Sequence, residues 1–179
     1  MNKEIISLLE PFENYDGEKK FVFFDLDGTA AEWRTSASLS DLYQKGYFSS
    51  LKPTEIATYA NELAKIPEIE TFSLSAYFPD SFAYEEKNIW IDQYIPNIGK
   101  EHRIFVPCGI DKASFVMDAL RHFLTNKHVL VDDYTENLTG WHQAGGRAIK
   151  RLNGINGHNG KFQGSRTNSL FELNSMIFD

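Results

Sequence analysis

At residues 21–29 the chain carries Phe-Val-Phe-Phe-Asp-Leu-Asp-Gly-Thr, an apolar run that ends in two acids and a glycine. Short continuous apolar runs are typical of strands buried on both faces of a parallel sheet. A second such run, at 129–131, also leads into two adjacent acids, and weaker strand patterns lie at 71–74 and 103–106. The sequence therefore predicts several parallel strands whose carboxyl ends are polar.

Helical patterns separate these strands. Apolar residues recur at helical spacing over 113–124, and a second helix is predicted over 81–94, with Asp80 or Ser81 as its cap. Residues 148–152 are a further candidate strand. Strands that alternate with helices predict an α/β fold with a doubly wound parallel sheet of the Rossmann type.

Residues 30–70 show helical signals without a clear strand. Ser38 is a candidate cap for one short helix, and Pro53 suits the first turn of another. We expect this segment to form a small helical cap over the active edge of the sheet. The predicted division is an α/β core at 1–29 and 71–179, with the cap at 30–70.

Composition narrows the possible functions. The net charge of -7 argues against a nucleic-acid polymer as partner, because such binding needs clustered Lys and Arg. Cys108 is the single cysteine, which favours a reducing compartment. No apolar stretch is long enough to span a membrane, so a cytoplasmic protein without a membrane partner is expected. The five histidines lack metal-binding spacing, and the oligomeric state stays open.

The polar residues after the strands should meet in one cleft, because ligands of parallel sheets bind beyond the carboxyl ends of the strands. They are Asp25, Asp27, Ser75, Asp132 and Asp133.

The two acids of the first motif suit phosphoryl transfer. Asp25 can attack phosphorus to form an aspartyl-phosphate, and Asp27 can protonate the leaving oxygen and later activate water. Gly28 permits a sharp turn that brings backbone N–H groups towards a phosphate. Oxygen ligands of this kind prefer a hard cation. The alternative is that Asp-Gly only marks a tight turn after a strand.

The complete motif, Asp-Leu-Asp-Gly-Thr from Asp25, resembles the first motif of the haloacid dehalogenase superfamily. The resemblance implies Asp25 as nucleophile and Asp27 as general acid and base. It also implies Mg²⁺ held by the Asp25 carboxylate, the Asp27 backbone carbonyl and an acid of the last motif. Ser75 would bind the phosphoryl group, with Ser73 as a competitor that strand alternation should turn away. The candidate substrate-binding residues are Ser75, Ala76, Gly28, Thr29, Trp33 and Arg34.

The same resemblance requires a lysine that balances charge at the phosphorylated site. Lys112 follows the 103–106 strand and is preferred. Lys87 is the second candidate, but its neighbours Glu85 and Glu86 favour a solvated helix face for it.

A closer resemblance is to the 5'(3')-deoxyribonucleotidase family, through the first motif, Leu74-Ser75-Ala76, Asp111-Lys112 and Val131-Asp132-Asp133. It implies that Asp133 is the metal ligand. Asp132 would orient Lys112 or a metal-bound water, and is the second choice as ligand.

The expected function is thus a magnesium-dependent nucleotidase for deoxyribonucleoside monophosphates. The cap is shorter than in that family, which leaves base recognition open. Two alternatives are also kept. One is a phosphatase for a sugar phosphate or another small metabolite, and the other is a catalytically silent binding module.

Overall fold

The structure is a computed structural model that describes residues 18–156 and 161–179, together with Lys3, Ile5 and Leu9. Most of the first 17 residues of the predicted core therefore lie outside the described residues. Ile5 and Leu9 are buried in the main hydrophobic core.

Six parallel strands form one sheet in the described part of the chain. The strands are β1 (Lys20–Phe24), β2 (Ile69–Tyr77), β3 (Arg103–Pro107), β4 (His128–Asp132), β5 (Arg147–Arg151) and β6 (Ser165–Thr167). Their order is β3-β2-β1-β4-β5-β6. This is the doubly wound Rossmann order, so the predicted fold class is confirmed.

Helices cover both faces of the sheet. They are α1 (Glu55–Leu63), α2 (Ala83–Tyr94), α3 (Lys112–Leu120), α4 (Thr135–Gln143) and α5 (Leu170–Phe178). Apolar residues of α1, α2 and α5 pack in one core with Val22 and Phe24, whereas α3 and α4 pack in the other core with Phe23. Alternate residues of β1 thus point to opposite helical layers, which explains why its apolar run is continuous.

Three helix boundaries differ from the sequence prediction. The helix predicted over 113–124 ends at Leu120, because Arg121 adopts a left-handed conformation with φ of 56°. Phe123, which we expected on its apolar face, is 82% exposed. Pro53 lies outside α1, since Thr54 is the cap and accepts a hydrogen bond from the N–H of Ile56. The third difference is the start of α2, which begins at Ala83 and not at Ser81. The N–H of Ala83 donates to Ser81 Oγ.

The segment 30–70 contains two 3-10 helices, at Leu39–Tyr43 and Phe48–Ser50, before α1 and the first residues of β2. The carboxylate of Asp41 accepts from the N–H and O–H groups of Ser38, which fixes the first of them. Helix α1 packs against the sheet in the main core. The boundaries of a separate cap at 30–70 stay a prediction.

None of the helices in the described residues combines the length and the hydropathy needed to cross a bilayer. The cytoplasmic location stays a prediction.

His128, the first residue of β4, is a buried titratable group within the fold. It is 3% exposed and stacks on Phe21 with 4.9 Å between ring centroids. The N–H of Thr125 donates to its Nδ1, which needs a lone pair and therefore a neutral ring. Burial, assisted by the nearby His122, lowers the pKa of His128 below its ordinary value.

A lowered pKa in the folded state means that the unfolded chain binds this proton more readily. We therefore expect the contribution of His128 to stability to be complete above about pH 6.5, its unfolded pKa, and to be lost as the pH falls towards the folded pKa. Urea unfolding should be measured above and below this pH in the wild type and in His128→Phe, which keeps an aromatic ring. We expect the fall in pH to lower the unfolding free energy of His128→Phe less than that of the wild type. Equal losses in the two proteins would contradict the assignment.

Candidate active site

The site lies where the strand order reverses, between β1 and β4. Asp25 follows β1, and its N–H donates to the carbonyl of Val131 in β4. Asp132 is the last residue of β4. The connections that follow these two neighbouring strands run to opposite faces of the sheet, which leaves a crevice between them. The crevice holds the acids of both motifs.

Lys112 connects the two acidic motifs. This lysine is the first residue of α3, and its Nζ donates to Asp25 Oδ1 at 2.6 Å and to Asp132 Oδ2 at 2.8 Å. All three side chains are at least nine-tenths buried. Burial disfavours the ammonium, but the carboxylates of Asp132 and Asp25 outweigh it and hold the pKa of Lys112 above its ordinary value. The preferred lysine of the sequence analysis is thus beside the candidate nucleophile.

The hydrogen bonds of Asp132 account for both of its carboxylate oxygens. Oδ1 accepts from the N–H of Tyr134, and Oδ2 accepts from Lys112 and from Asn137 Nδ2 at 2.9 Å. A carboxylate with these partners is well placed to orient Lys112, and three of its roughly four acceptor sites are in use.

Asp133 has a different environment. Its Oδ2 accepts from Asn153 Nδ2 at 2.8 Å, and the same amide nitrogen donates to the carbonyl of Gly28 at 2.9 Å. Asn153 therefore ties Asp133 to the turn after the first motif. Burial and the charge of Asp132 raise the pKa of Asp133 to about 7.

A divalent cation fits this cluster. Asp25, Asp132 and Asp133 each offer a ligand oxygen, and these atoms lie within 4.8 Å of one another. Burial raises the pKa of Asp25 well above its usual range, although Lys112 opposes the shift. Added positive charge would favour the ionised forms of Asp25 and Asp133, whose pKa values are raised, and oxygen donors suit a hard cation such as Mg²⁺.

Lys87 is buried, so the solvated helix face expected for it is wrong. It is 2% exposed, and its Nζ donates to Asp27 Oδ2, to Ser75 Oγ at 2.9 Å and to the carbonyl of Ala76 at 2.5 Å. The acidic neighbours suggested solvent, but Lys87 points inwards from α2 to the carboxyl end of β2. Both candidate lysines therefore reach the site.

Ser75, rather than Ser73, lies at the tip of the strands. The two serines are two residues apart and so share one face of β2, which means that strand alternation does not separate them as we expected. Their level does, because Ser73 pairs with Phe24 inside the sheet, and Ser75 lies two residues further on.

Trp33 lines two cavities that flank the first motif. One, of about 180 Å³, is mostly apolar and is also lined by Asp27, Leu42, Phe48, Ala76, Tyr77, Phe78, Lys87 and Cys108. The other, of about 330 Å³, is more polar and is also lined by Gly28, Thr29, Glu32, Thr54, Arg151, Asn153 and Ile155.

Within the described residues, Arg34 contacts residues 46–50, which we call the cap segment. Its Nη2 donates to Ser50 Oγ at 2.9 Å, and its guanidinium lies 5.5 Å from the ring centroid of Tyr47. The structure does not bring Arg34 into contact with the acidic cluster. Its role in substrate binding stays a prediction.

Sequence reasoning missed Asn153 and Glu86. Asn153 follows β5, and a polar residue at a strand end was the signal that could have found it. Glu86 is 5% exposed and accepts from the N–H groups of Phe48 at 2.9 Å, Ser49 at 3.3 Å and Gly46. No pattern in the sequence indicates that helix α2 holds this part of the cap.

The sequence matches no protein-family model and no curated protein. Solved structures do match. A D,D-heptose 1,7-bisphosphate phosphatase from B. bronchiseptica, complexed with magnesium and phosphate, has a TM-score of 0.58 at 13% identity, over 89% of this chain and 98% of that one. A HAD-superfamily hydrolase from Ehrlichia chaffeensis has a TM-score of 0.56 at 10% identity, over 91% and 98% of the two chains.

The chain has the haloacid dehalogenase fold. A third structure with this fold is a HAD family hydrolase from Deinococcus radiodurans R1 with bound phosphate and sodium. It has a TM-score of 0.56 at 12% identity, over 88% of this chain and 94% of that one. At these identities the similarity establishes the haloacid dehalogenase fold, and the activity has to be argued from the site.

Gly28 gives a direct test of the cation site. Its φ is +84°, and a Cβ added there would overlap the carboxylate of Asp133. Gly109 is a matched control, because its φ is +91° and, apart from its two chain neighbours, no described residue has an atom within 4 Å of an added Cβ.

We expect Gly28→Ala and Gly109→Ala each to lose about 1–2 kcal/mol of unfolding free energy from left-handed backbone strain. Only Gly28→Ala should also weaken Mg²⁺ binding, by about tenfold or more, because it displaces a ligand. Calorimetric titration with Mg²⁺ measures this difference. Unchanged Mg²⁺ affinity in Gly28→Ala would show that Asp133 is not a ligand.

Proposed function

We propose that the chain is a magnesium-dependent phosphatase that hydrolyses phosphate monoesters through an aspartyl-phosphate on Asp25. The observation that carries the proposal is the contact of Lys112 with both Asp25 and Asp132, beside the carboxylate of Asp133. The fold similarity adds support, since the similar structures include phosphatases.

In the first step an oxygen of Asp25 attacks phosphorus, and the bond to the leaving oxygen breaks. Lys112 balances the charge beside Asp25, and Ser75 with the backbone N–H groups after Asp25 orients the phosphoryl oxygens. Asp27 donates a proton to the leaving oxygen as it departs.

In the second step Asp27 takes a proton from water, the water oxygen bonds to phosphorus, and the bond to Asp25 breaks. Inorganic phosphate is released and Asp25 returns to its starting form. Mg²⁺ would be held by the Asp25 carboxylate, the Asp27 backbone carbonyl and the Asp133 carboxylate. Its chemical contribution would be to neutralise charge on the phosphoryl oxygens.

We expect Asp25→Asn to lower turnover of p-nitrophenyl phosphate by about a thousandfold or more, because the amide cannot act as the nucleophile. Asp118→Asn, at an exposed position of α3, is the matched control and should keep wild-type turnover. Phosphate release in Mg²⁺, before and after chelation, measures both variants.

Turnover by Asp25→Asn at the wild-type rate would disprove the role of Asp25. Phosphate release that no chelator affects would contradict the cation requirement. If the folded wild-type protein hydrolysed no aryl phosphate, the alternative of a silent binding module would replace the enzyme.

Within this activity we propose deoxyribonucleoside monophosphates as substrates. The mostly apolar cavity supports these substrates. It is lined by Asp27 and Ala76 of the site and by the aromatic side chains of Trp33, Phe48 and Phe78. Aromatic side chains stack on nucleobases and exclude water from the reacting centre.

A sugar phosphate is the second candidate, and the polar cavity favours it. Glu32, Thr54, Arg151 and Asn153 supply hydrogen-bonding groups beside the indole of Trp33. The solved structures with this fold also include D,D-heptose 1,7-bisphosphate phosphatases from B. bronchiseptica and Burkholderia thailandensis.

One substitution in each cavity separates the two candidates. For a nucleotidase, Phe78→Ala should lower kcat/KM on deoxyribonucleoside monophosphates by about tenfold, the value of one lost base-stacking contact, and Arg151→Met should leave it unchanged. Rates on 5' and 3' nucleotides and on hexose and heptose phosphates measure this preference. Phe123→Ala, at an exposed aromatic, controls for surface effects.

The reverse pattern, with Arg151→Met selectively impairing sugar phosphates, would favour the sugar-phosphate activity. Unfolding midpoints of each variant show whether a loss reflects folding, since Arg151 also pairs with Glu55.

A further inference from the structure

Lys87 has contacts that a structural role alone does not explain. Its Nζ donates hydrogen bonds to Ser75 Oγ and to the Asp27 carboxylate, two side chains of the proposed chemistry. The same Nζ is 4.6 Å from the ring centroid of Phe48 in the cap segment. Burying an ammonium is costly, and a packed apolar side chain often serves stability as well. A buried cation at this place therefore points to a ligand that needs its charge.

We propose that Lys87 is a second phosphoryl-binding residue, which exchanges its contact with the Asp27 carboxylate for a phosphoryl oxygen when a phosphate ester or inorganic phosphate enters. This inference rests on the proposed function and adds a cation to its site. The ligand class is a phosphate group, held between Lys112 on the α3 side and Lys87 on the α2 side.

The distance between Lys87 and Ser75 supports this exchange. Ser75 Oγ is 2.9 Å from Lys87 Nζ, so a phosphoryl oxygen bound to that hydroxyl can also reach hydrogen-bonding distance of the ammonium. An ammonium has three donors, and the three present acceptors are the Asp27 carboxylate, Ser75 Oγ and the Ala76 carbonyl. If an oxygen of a phosphate dianion replaces one of these acceptors, all three donors of the ammonium remain hydrogen-bonded.

The charge of the site also favours a second cation beside the phosphate. Lys112 is already shared between the carboxylates of Asp25 and Asp132. An incoming phosphate dianion adds negative charge to a cluster of buried acids, and in low dielectric this repulsion is strong. Lys87 supplies positive charge on the side of the cluster that Lys112 does not reach.

Glu86 explains how this arrangement is kept in place. It precedes Lys87 on α2, and its buried carboxylate holds the backbone N–H groups of Phe48 and Ser49. One turn of α2 thus secures the cap segment with one side chain and reaches the site with the next. The ring of Phe48 is held beside the ammonium as a result.

Inorganic phosphate in the presence of Mg²⁺ is the probe for this proposal, because its binding does not require turnover. Calorimetric titration should show that Lys87→Met binds phosphate at least tenfold more weakly than the wild type. We expect Lys87→Arg, which keeps the charge, to recover part of the loss. With p-nitrophenyl phosphate, the loss in Lys87→Met should fall mainly on KM.

Lys150→Met is the matched control. Lys150 is also 2% exposed, but its Nζ donates to Thr135 Oγ1 at 2.8 Å. The control should lose stability from the same substitution and bind phosphate within twofold of the wild type.

Wild-type phosphate affinity in Lys87→Met would overturn the proposal, and so would equal losses in Lys87→Met and Lys150→Met. Absence of phosphate binding by the wild type would overturn it as well. If Lys87→Met does not fold, Lys87→Gln carries the same expectation. Failure of the proposed function is seen separately, as wild-type turnover by Asp25→Asn.

Discussion

The site depends on keeping several carboxylates ionised in a place that excludes most water. Asp25 and Asp132 are buried at the ends of adjacent strands, and burial raises the pKa of Asp25 well above its usual range. Lys112 opposes this by contacting both of them. The strand order makes the arrangement possible. The order reverses between β1 and β4, which brings the ends of these two strands side by side, and the first residue of α3 reaches both. A divalent cation on Asp25 and Asp133 would complete the balance.

Much of this could be predicted from the sequence because the strongest signals are local. The apolar run before Asp25 has the length and continuity of a strand buried on both faces, and the run before Asp132 repeats it. Once both are placed in a parallel sheet, their acids must lie at the same edge. The strand at 147–151 and the short helix after Ser38 also agree with the prediction.

The remaining features depend on tertiary contacts that leave no local pattern. Glu86 and Lys87 stand among charged residues, and only the packing of α2 against β2 and the cap segment turns them inwards. Helix α3 ends at Leu120, before the single left-handed residue Arg121, and apolar spacing over 113–124 does not indicate this end. Asn153 acquires its importance from the approach of β5 to the turn at Gly28.

The consecutive positions of Glu86 and Lys87 constrain evolution of the loop between β2 and α2. Neighbouring residues on an α-helix are separated by about 100° of rotation, so one angular setting of α2 satisfies both side chains. An insertion or deletion in residues 78–82 that rotated the helix would withdraw both charged groups from their partners at once. Length variation before α2 is therefore tolerated only where the loop absorbs it and the helical phase is preserved.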